Sequence, residues 1–276
     1  MNYRHAFHAG NFADCQKHAL LIALMRGLLA KPKPIAVLDT HAGIGAYDLS
    51  APEPQRTGEW RDGIARVAAS ADPALADYVA AMNAAGFPSL YPGSPALIRG
   101  MLRPGDRLML CELHPEDHAT LKARFRGDPQ VAVHRRDAYE ALTALTPFPE
   151  RRGLVLIDPP FEQEGEFERV AAALAALRHR FRAAVVAAWY PIKHRAPVRA
   201  FHTALQAAQV GDCLACELLL REPTDPTRLN GCGLLVCNPP FGFEASATSI
   251  LDALLATLSR GEDGAAARVS RVTDER

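Results

Sequence analysis

The chain has no surplus of either charge: 31 basic and 31 acidic residues balance over 276 positions. A protein that advertises a polyanion partner over its whole surface is thereby excluded, and any such contact has to be local. Long apolar runs are missing too. A stretch such as Ala19 to Leu24 falls far short of the ~20 residues that a membrane-spanning helix needs. No apolar segment follows the opening Met1-Asn2-Tyr3-Arg4-His5, as it would in a secretory leader, so the expected location is the cytoplasm. Neither a low-complexity tail nor an internal repeat is present. The 49% hydrophobic content is ample for a packed core. Nothing reads as an oligomerisation stripe, so a monomer without a stable protein partner is expected.

Metal chemistry has little to stand on. Cys213-x2-Cys216 and Cys232-x4-Cys237 have spacings that a zinc ribbon could use. Cys216, however, opens the strand-like run Glu217-Leu218-Leu219-Leu220, and Cys237 closes Gly233-Leu234-Leu235-Val236. Buried thiols in a reducing compartment explain them better, and no metal is expected.

What the sequence does have is Asp158-Pro159-Pro160-Phe161 at the end of the apolar run Gly153-Leu154-Val155-Leu156-Ile157. A buried strand ending in an acid, two prolines and an aromatic suits the amino group of a flat heterocycle. Such an amine is a poor nucleophile, because its lone pair is delocalised into the ring. The Asp158 carboxylate and the Pro159 carbonyl can accept its two hydrogens as a new bond forms, while the prolines fix φ and Phe161 offers a stacking face.

Three further strand ends carry acids. Ile35-Ala36-Val37-Leu38-Asp39 leads into Thr40-His41-Ala42-Gly43-Ile44-Gly45, a turn that lets a ligand approach the backbone. The third glycine of a nicotinamide-binding turn is absent, which argues against a dehydrogenase. Arg107-Leu108-Met109-Leu110-Cys111 ends at Glu112, where a doubly wound fold places an acceptor for ribose hydroxyls. Val131-Ala132-Val133 leads to Asp137 and Ala138, where an acid could accept from the exocyclic amine of an adenine. Each acid alone reads as a helix cap or a solvated turn. Four at successive strand ends read as a ligand site.

Together these features resemble a class I S-adenosylmethionine-dependent methyltransferase of the amino-methylating type. The string Asn2-Tyr3-Arg4-His5-Ala6-Phe7-His8-Ala9-Gly10-Asn11-Phe12-Ala13-Asp14 ahead of Lys17-His18 carries the likeness further. With Tyr91-Pro92-Gly93-Ser94-Pro95 and Glu112-Leu113-His114-Pro115, it is similar to the 23S ribosomal RNA adenine-N6 methyltransferase family, RlmJ, from Met1 to about Glu244. The resemblance implies S-adenosyl-L-methionine lined by His18, His41, Ser94, Glu112, Asp137, Ala138 and Asp158, with Asp158 catalytic. It implies that Tyr3, Lys17, Pro159 and Phe161 face the base and a 23S ribosomal RNA partner. Phe161 stands where the family usually has Tyr, which removes a hydroxyl and keeps the ring. DNA adenine or protein glutamine methylation, and an idle RNA-binding module on the same fold, are the rival readings. Basic clusters such as Arg135-Arg136, Arg178 to Arg182 and Lys193-His194-Arg195 read as solvated faces. A modest basic rim would suit an enzyme that must release its RNA.

The expected architecture is α/β: a Rossmann-like class I methyltransferase sheet, mostly parallel with an antiparallel edge hairpin, in one domain over 1–276. Asn11 should cap a helix from Phe12 to Leu29, with its apolar residues on one face. Asp39 and Glu112 stand 73 positions apart, whereas a βαβ unit takes only ~30. The surplus is expected to form a small helical insertion over residues 50–90. A second motif, Asn238-Pro239-Pro240-Phe241, competes for the catalytic label but follows an expected edge strand. The charged tail after Gly261 is expected to fray.

Overall fold

Asn11 opens the first long helix. Its side-chain oxygen accepts from the Asp14 N–H at 2.9 Å, satisfying one of the amides that a helix start leaves over. In the computed structural model, which describes residues 4–274, this helix, α1, spans Phe12–Leu29. Its apolar residues were expected on one face, but α1 is buried on nearly every side, including Asp14, Gln16, Lys17 and His18, and only Arg26 between Ala13 and Leu28 is exposed. The reason is that α3, α4, α5, α6, α11 and β9 pack around it, so little of it is left for solvent.

After α1 the chain enters β1 (Ala36–Asp39), β2 (Ala46–Tyr47) and four short helices: α2 (Pro52–Thr57), α3 (Glu59–Asp62), α4 (Ile64–Ala68) and α5 (Ala76–Ala84). β3 (Tyr91–Pro92) pairs with β2 in a two-stranded ribbon, and α6 (Ser94–Met101) follows. Ile64, Val67, Leu75, Tyr78 and Met82 from this stretch join the same apolar cluster as α1. The regular alternation then begins: β4 (Arg107–Cys111), α7 (Pro115–Arg124), β5 (Val131–His134), α8 (Ala138–Ala144), β6 (Gly153–Ile157), α9 (Glu166–Arg180), β7 (Val185–Ile192) and α10 (Arg195–Ala207). The chain ends with β8 (Cys213–Leu219), β9 (Gly231–Cys237), α11 (Phe243–Leu258) and β10 (Ala266–Thr273).

Eight strands make one sheet in the order β10-β8-β9-β7-β6-β1-β4-β5. The five from β7 to β5 are parallel. Side chains alternate across the sheet as the pleat requires: Val37 joins the cluster under α1, while Leu38 joins the one on the opposite face. β9 inserts antiparallel between β7 and β8, giving the expected hairpin. The edge beyond it is not a frayed tail. β10 pairs antiparallel with β8 from Ala266↔Leu219 to Thr273↔Cys213, so the charged text after Gly261 carries a strand whose polar residues suit an edge.

The chain adds β4 and β5 on one side of β1, then returns to add β6 on the other side. That reversal opens a crevice at the carboxyl ends of β1, β4 and β6, where ligands bind in sheets of this type.

Candidate active site

Where β6 leaves the sheet, its fully buried strand Gly153–Ile157 hands over to Asp158, whose side chain is 18% exposed. One oxygen is already held. Lys17 Nζ donates to Asp158 Oδ2 at 2.5 Å and lies 3.0 Å from Asp14 Oδ1. Asp14 Oδ2 accepts in turn from the Gly10 N–H and from His5 Nε2, each at 2.9 Å. Burial alone would push the Lys17 ammonium down, but Asp14 and Asp158 outweigh it and hold its pKa well above the ordinary value. Burial also opposes ionisation of Asp14, yet the charges of His5 and Lys17 keep it well below the usual carboxylate range. This is a charged relay anchored in α1, with Asp158 at its open end.

Beside it, β1 ends in Asp39, which is fully buried. Burial raises its pKa to about 6, against the Ser94 hydroxyl that donates to Oδ2 at 2.6 Å. The Asp158 N–H donates to His41 Nδ1 at 3.3 Å, and burial lowers that imidazole to about 4. A neutral His41 with Nδ1 accepting carries its proton on Nε2. His18, on α1, is 1% exposed, with Nδ1 2.8 Å from Tyr91 Oη.

The acids after β4 and β5 meet the same space. Glu112 Oε2 accepts from the Gly43 N–H at 2.9 Å, and Oε1 accepts from the His114 N–H at 2.7 Å. Burial raises the Glu112 pKa even so. Gly43 has φ +58, and a Cβ there would lie 2.4 Å from Tyr47 Oη, so the turn requires glycine. Asp137 is the cap of α8, its Oδ1 accepting from the Tyr139 and Glu140 amides. The helix-cap reading of that acid is thus true, and Asp137 and the adjoining Ala138 also line the crevice.

A cavity of about 1190 Å³ connects most of these groups, but Asp39, fully buried, is not among the residues that line it. It brings together Lys17, His18, His41, Ser94, Glu112, Asp137, Ala138, Asp158, Pro159 and Phe161. Tyr3 lies outside the described residues. Sequence reasoning missed Asp14 and Trp189. Asp14 could have been found as the acid one helical turn before Lys17. Trp189 lies within β7, with its ring centroid 5.9 Å from that of Phe161, and both line the cavity. Phe161 also packs on Phe167 at 4.8 Å, so its ring is braced from behind.

Asn238 does not line this cavity. β9 runs antiparallel to β7 and pairs Cys237 with Val186, so its carboxyl end lies at the end of the strands opposite to Asp158. The cysteines are not gathered in one place: Cys213 and Cys237 face each other across the β8–β9 ladder, and Cys216 belongs to the other face of the sheet. No described helix is long and apolar enough to cross a membrane.

The family model described as "Ribosomal RNA large subunit methyltransferase D, RlmJ" matches residues 32–272. The chain belongs to the RlmJ family. Ribosomal RNA large subunit methyltransferase J of Escherichia coli is 37% identical over 256 residues, covering 91% of each chain. The protein of the same name from Haemophilus influenzae is 36% identical over 264 residues, covering 94% of each. A crystal structure of a Legionella pneumophila protein superposes with a TM-score of 0.87 at 33% identity, covering 95% of this chain and 98% of that one. Membership of the RlmJ family makes the chain a class I methyltransferase that uses S-adenosylmethionine. The donor set fits that cofactor: Glu112 and Asp137 present carboxylates along one wall, and Gly43 gives a close backbone approach beside them.

Proposed function

We propose that this protein methylates the N6 amine of an adenine in 23S ribosomal RNA. The observation that carries the reading is Asp158-Pro159-Pro160-Phe161 leaving β6 beside a crevice walled by Glu112 and Asp137. S-adenosylmethionine, when bound, supplies an electrophilic methyl group. Glu112 would hold its ribose hydroxyls, Asp137 and the Ala138 amide its adenine edge, and Ser94, His18 and His41 the remaining wall.

Asp158 acts on the substrate. Lys17 fixes Oδ2, so the carboxylate arrives in one orientation with Oδ1 left to accept an N6 hydrogen. The Pro159 carbonyl accepts the other. The pair thereby favours pyramidalisation of the amine and stabilises the positive charge that develops on it. No strong base is required, because the amine becomes acidic only as it is alkylated. Phe161 stacks on the base, which must leave its own stack or be single-stranded to enter. Phe161 and Trp189 together keep water from the reacting nitrogen. The site of action is the cytoplasm, where ribosomal RNA is found.

Mass spectrometry of nucleosides from RNA incubated with isotopically labelled methyl donor tests the assignment. Labelled N6-methyladenosine is expected from unmodified 23S RNA transcribed in vitro. Label appearing only in DNA or on protein glutamine overturns the RNA reading. No label anywhere, with cofactor bound, leaves a binding module.

A further inference from the structure

The cavity wall beyond Asp158 differs in sign from the wall that faces the cofactor. Glu112, Asp117 and Asp137 line the latter, with Arg136 as its one cation, so that wall is acidic on balance. The far wall, built from the segments after β7, β8 and α11, presents Lys193, Arg221, Arg228 and Arg260 with Glu262 as its carboxylate. On a chain of zero net charge, this separation is local and directional.

The cations are placed rather than scattered. Trp189, Pro191 and Lys193 line the cavity at alternate positions, as one face of a strand leaving the sheet does. The exposed Lys193 is therefore carried outward in line with the aromatic pair at the base pocket. Arg221 donates to both Glu262 oxygens at 2.8 Å, and Arg228 lies 3.9 Å from the same carboxylate. Glu262 thus gathers two guanidinium groups and neutralises one. Arg260 pairs with Asp62 of α3, which also lines the cavity, with both side chains 59% exposed. Exposed pairs of this kind are worth little and exchange readily for a stronger anion.

We infer that Lys193, Arg221, Arg228 and Arg260 form the track that holds the phosphates of the RNA strand on one side of the target base. A groove of cations leading from aromatic rings is what a splayed single strand requires: bases stack on the rings while the backbone follows the charge. The acidic wall repels that backbone and sets the direction in which the strand leaves. The inference rests on the RNA reading above and names the surface that serves it.

The test uses the full-length protein with unmodified 23S RNA transcribed in vitro, measuring initial rates against RNA concentration at several salt concentrations. Four proteins are compared: the wild type, a Lys193→Ala/Arg228→Ala double variant, its charge-preserving counterpart Lys193→Arg/Arg228→Lys, and Arg199→Ala, an exposed residue outside the cavity. The double alanine variant should raise KM about tenfold while kcat stays within about twofold, and flatten the log–log salt dependence by about 1.4, as expected for two lost single-strand phosphate contacts. The charge-preserving variant should recover most of the affinity, and Arg199→Ala should behave as wild type. An unchanged salt slope, or a fall in kcat at constant KM, overturns the phosphate track while wild-type methylation still upholds the RNA reading. A wild type that binds cofactor and transfers no methyl to RNA overturns both.

Discussion

Asp158 and Glu112 are both carboxylates at strand ends in one cavity, yet the structure gives them different company. Asp158 meets a lysine through one oxygen and leaves the other open, whereas both Glu112 oxygens are engaged by amides of the β1 and β4 turns. Asp158→Ala should therefore abolish transfer, at a cost of ~3–4 kcal/mol in the barrier, while cofactor affinity stays within about tenfold. Glu112→Ala should do the reverse, weakening the cofactor by ~1.5–3 kcal/mol with little effect on RNA affinity measured without cofactor. Calorimetry with S-adenosylmethionine and single-turnover rates separate the two. If Asp158→Ala turns over at the wild-type rate, catalysis lies elsewhere; if Glu112→Ala loses both affinities equally, the residue is structural.

At the scale of elements, most of the fold was readable because the relevant signals are local. Short apolar runs ending in Asp39, Glu112 and Asp158 gave parallel strands with their acids at one end, and the Asn11 cap gave the start of α1. Partners that lie far apart in sequence were not readable. Nothing local says that Lys17 reaches Asp158, 141 positions away. β10 was hidden by its composition, since an edge strand has one neighbour and tolerates Arg268, Ser270 and Arg271. Its importance is testable. β10 covers β8, a strand buried over all seven residues, and Arg271 ties it to Asp212 and Glu244 at 3.0 and 2.9 Å. Ending the chain after Gly264 should expose that edge and yield a protein that aggregates and loses its cooperative melting transition. An unchanged melting temperature would make β10 a mere covering.

For the whole molecule, two buried groups in the same core respond to acid with opposite signs. His18 is held neutral: burial lowers its pKa from 6.5 to about 3. Above pH 6.5 neither the folded nor the unfolded form carries a proton there, and the contribution to stability is complete. As pH falls from 6.5 towards 3, only the unfolded chain takes up the proton, and stability is lost at up to ~1.4 kcal/mol per pH unit. Asp39 behaves in the other sense. Burial raises its pKa from 3.8 to about 6, so between these values the folded chain keeps a proton that the unfolded chain releases. Lowering the pH through that window therefore adds stability. The two effects oppose each other in the wild type, and only variants separate them. His18→Gln should be less stable than wild type at about pH 7.5 through lost packing, and the gap should narrow by about 2 kcal/mol on going to about pH 5. Asp39→Asn removes a forced buried charge, so its stability relative to wild type should be highest at about pH 7.5 and decline towards about pH 4.5. Denaturant melts of the three proteins across this range decide the matter. Parallel curves for His18→Gln and wild type would show that His18 takes up its proton in the folded state, which its enclosure by Tyr91 and Tyr78 argues against.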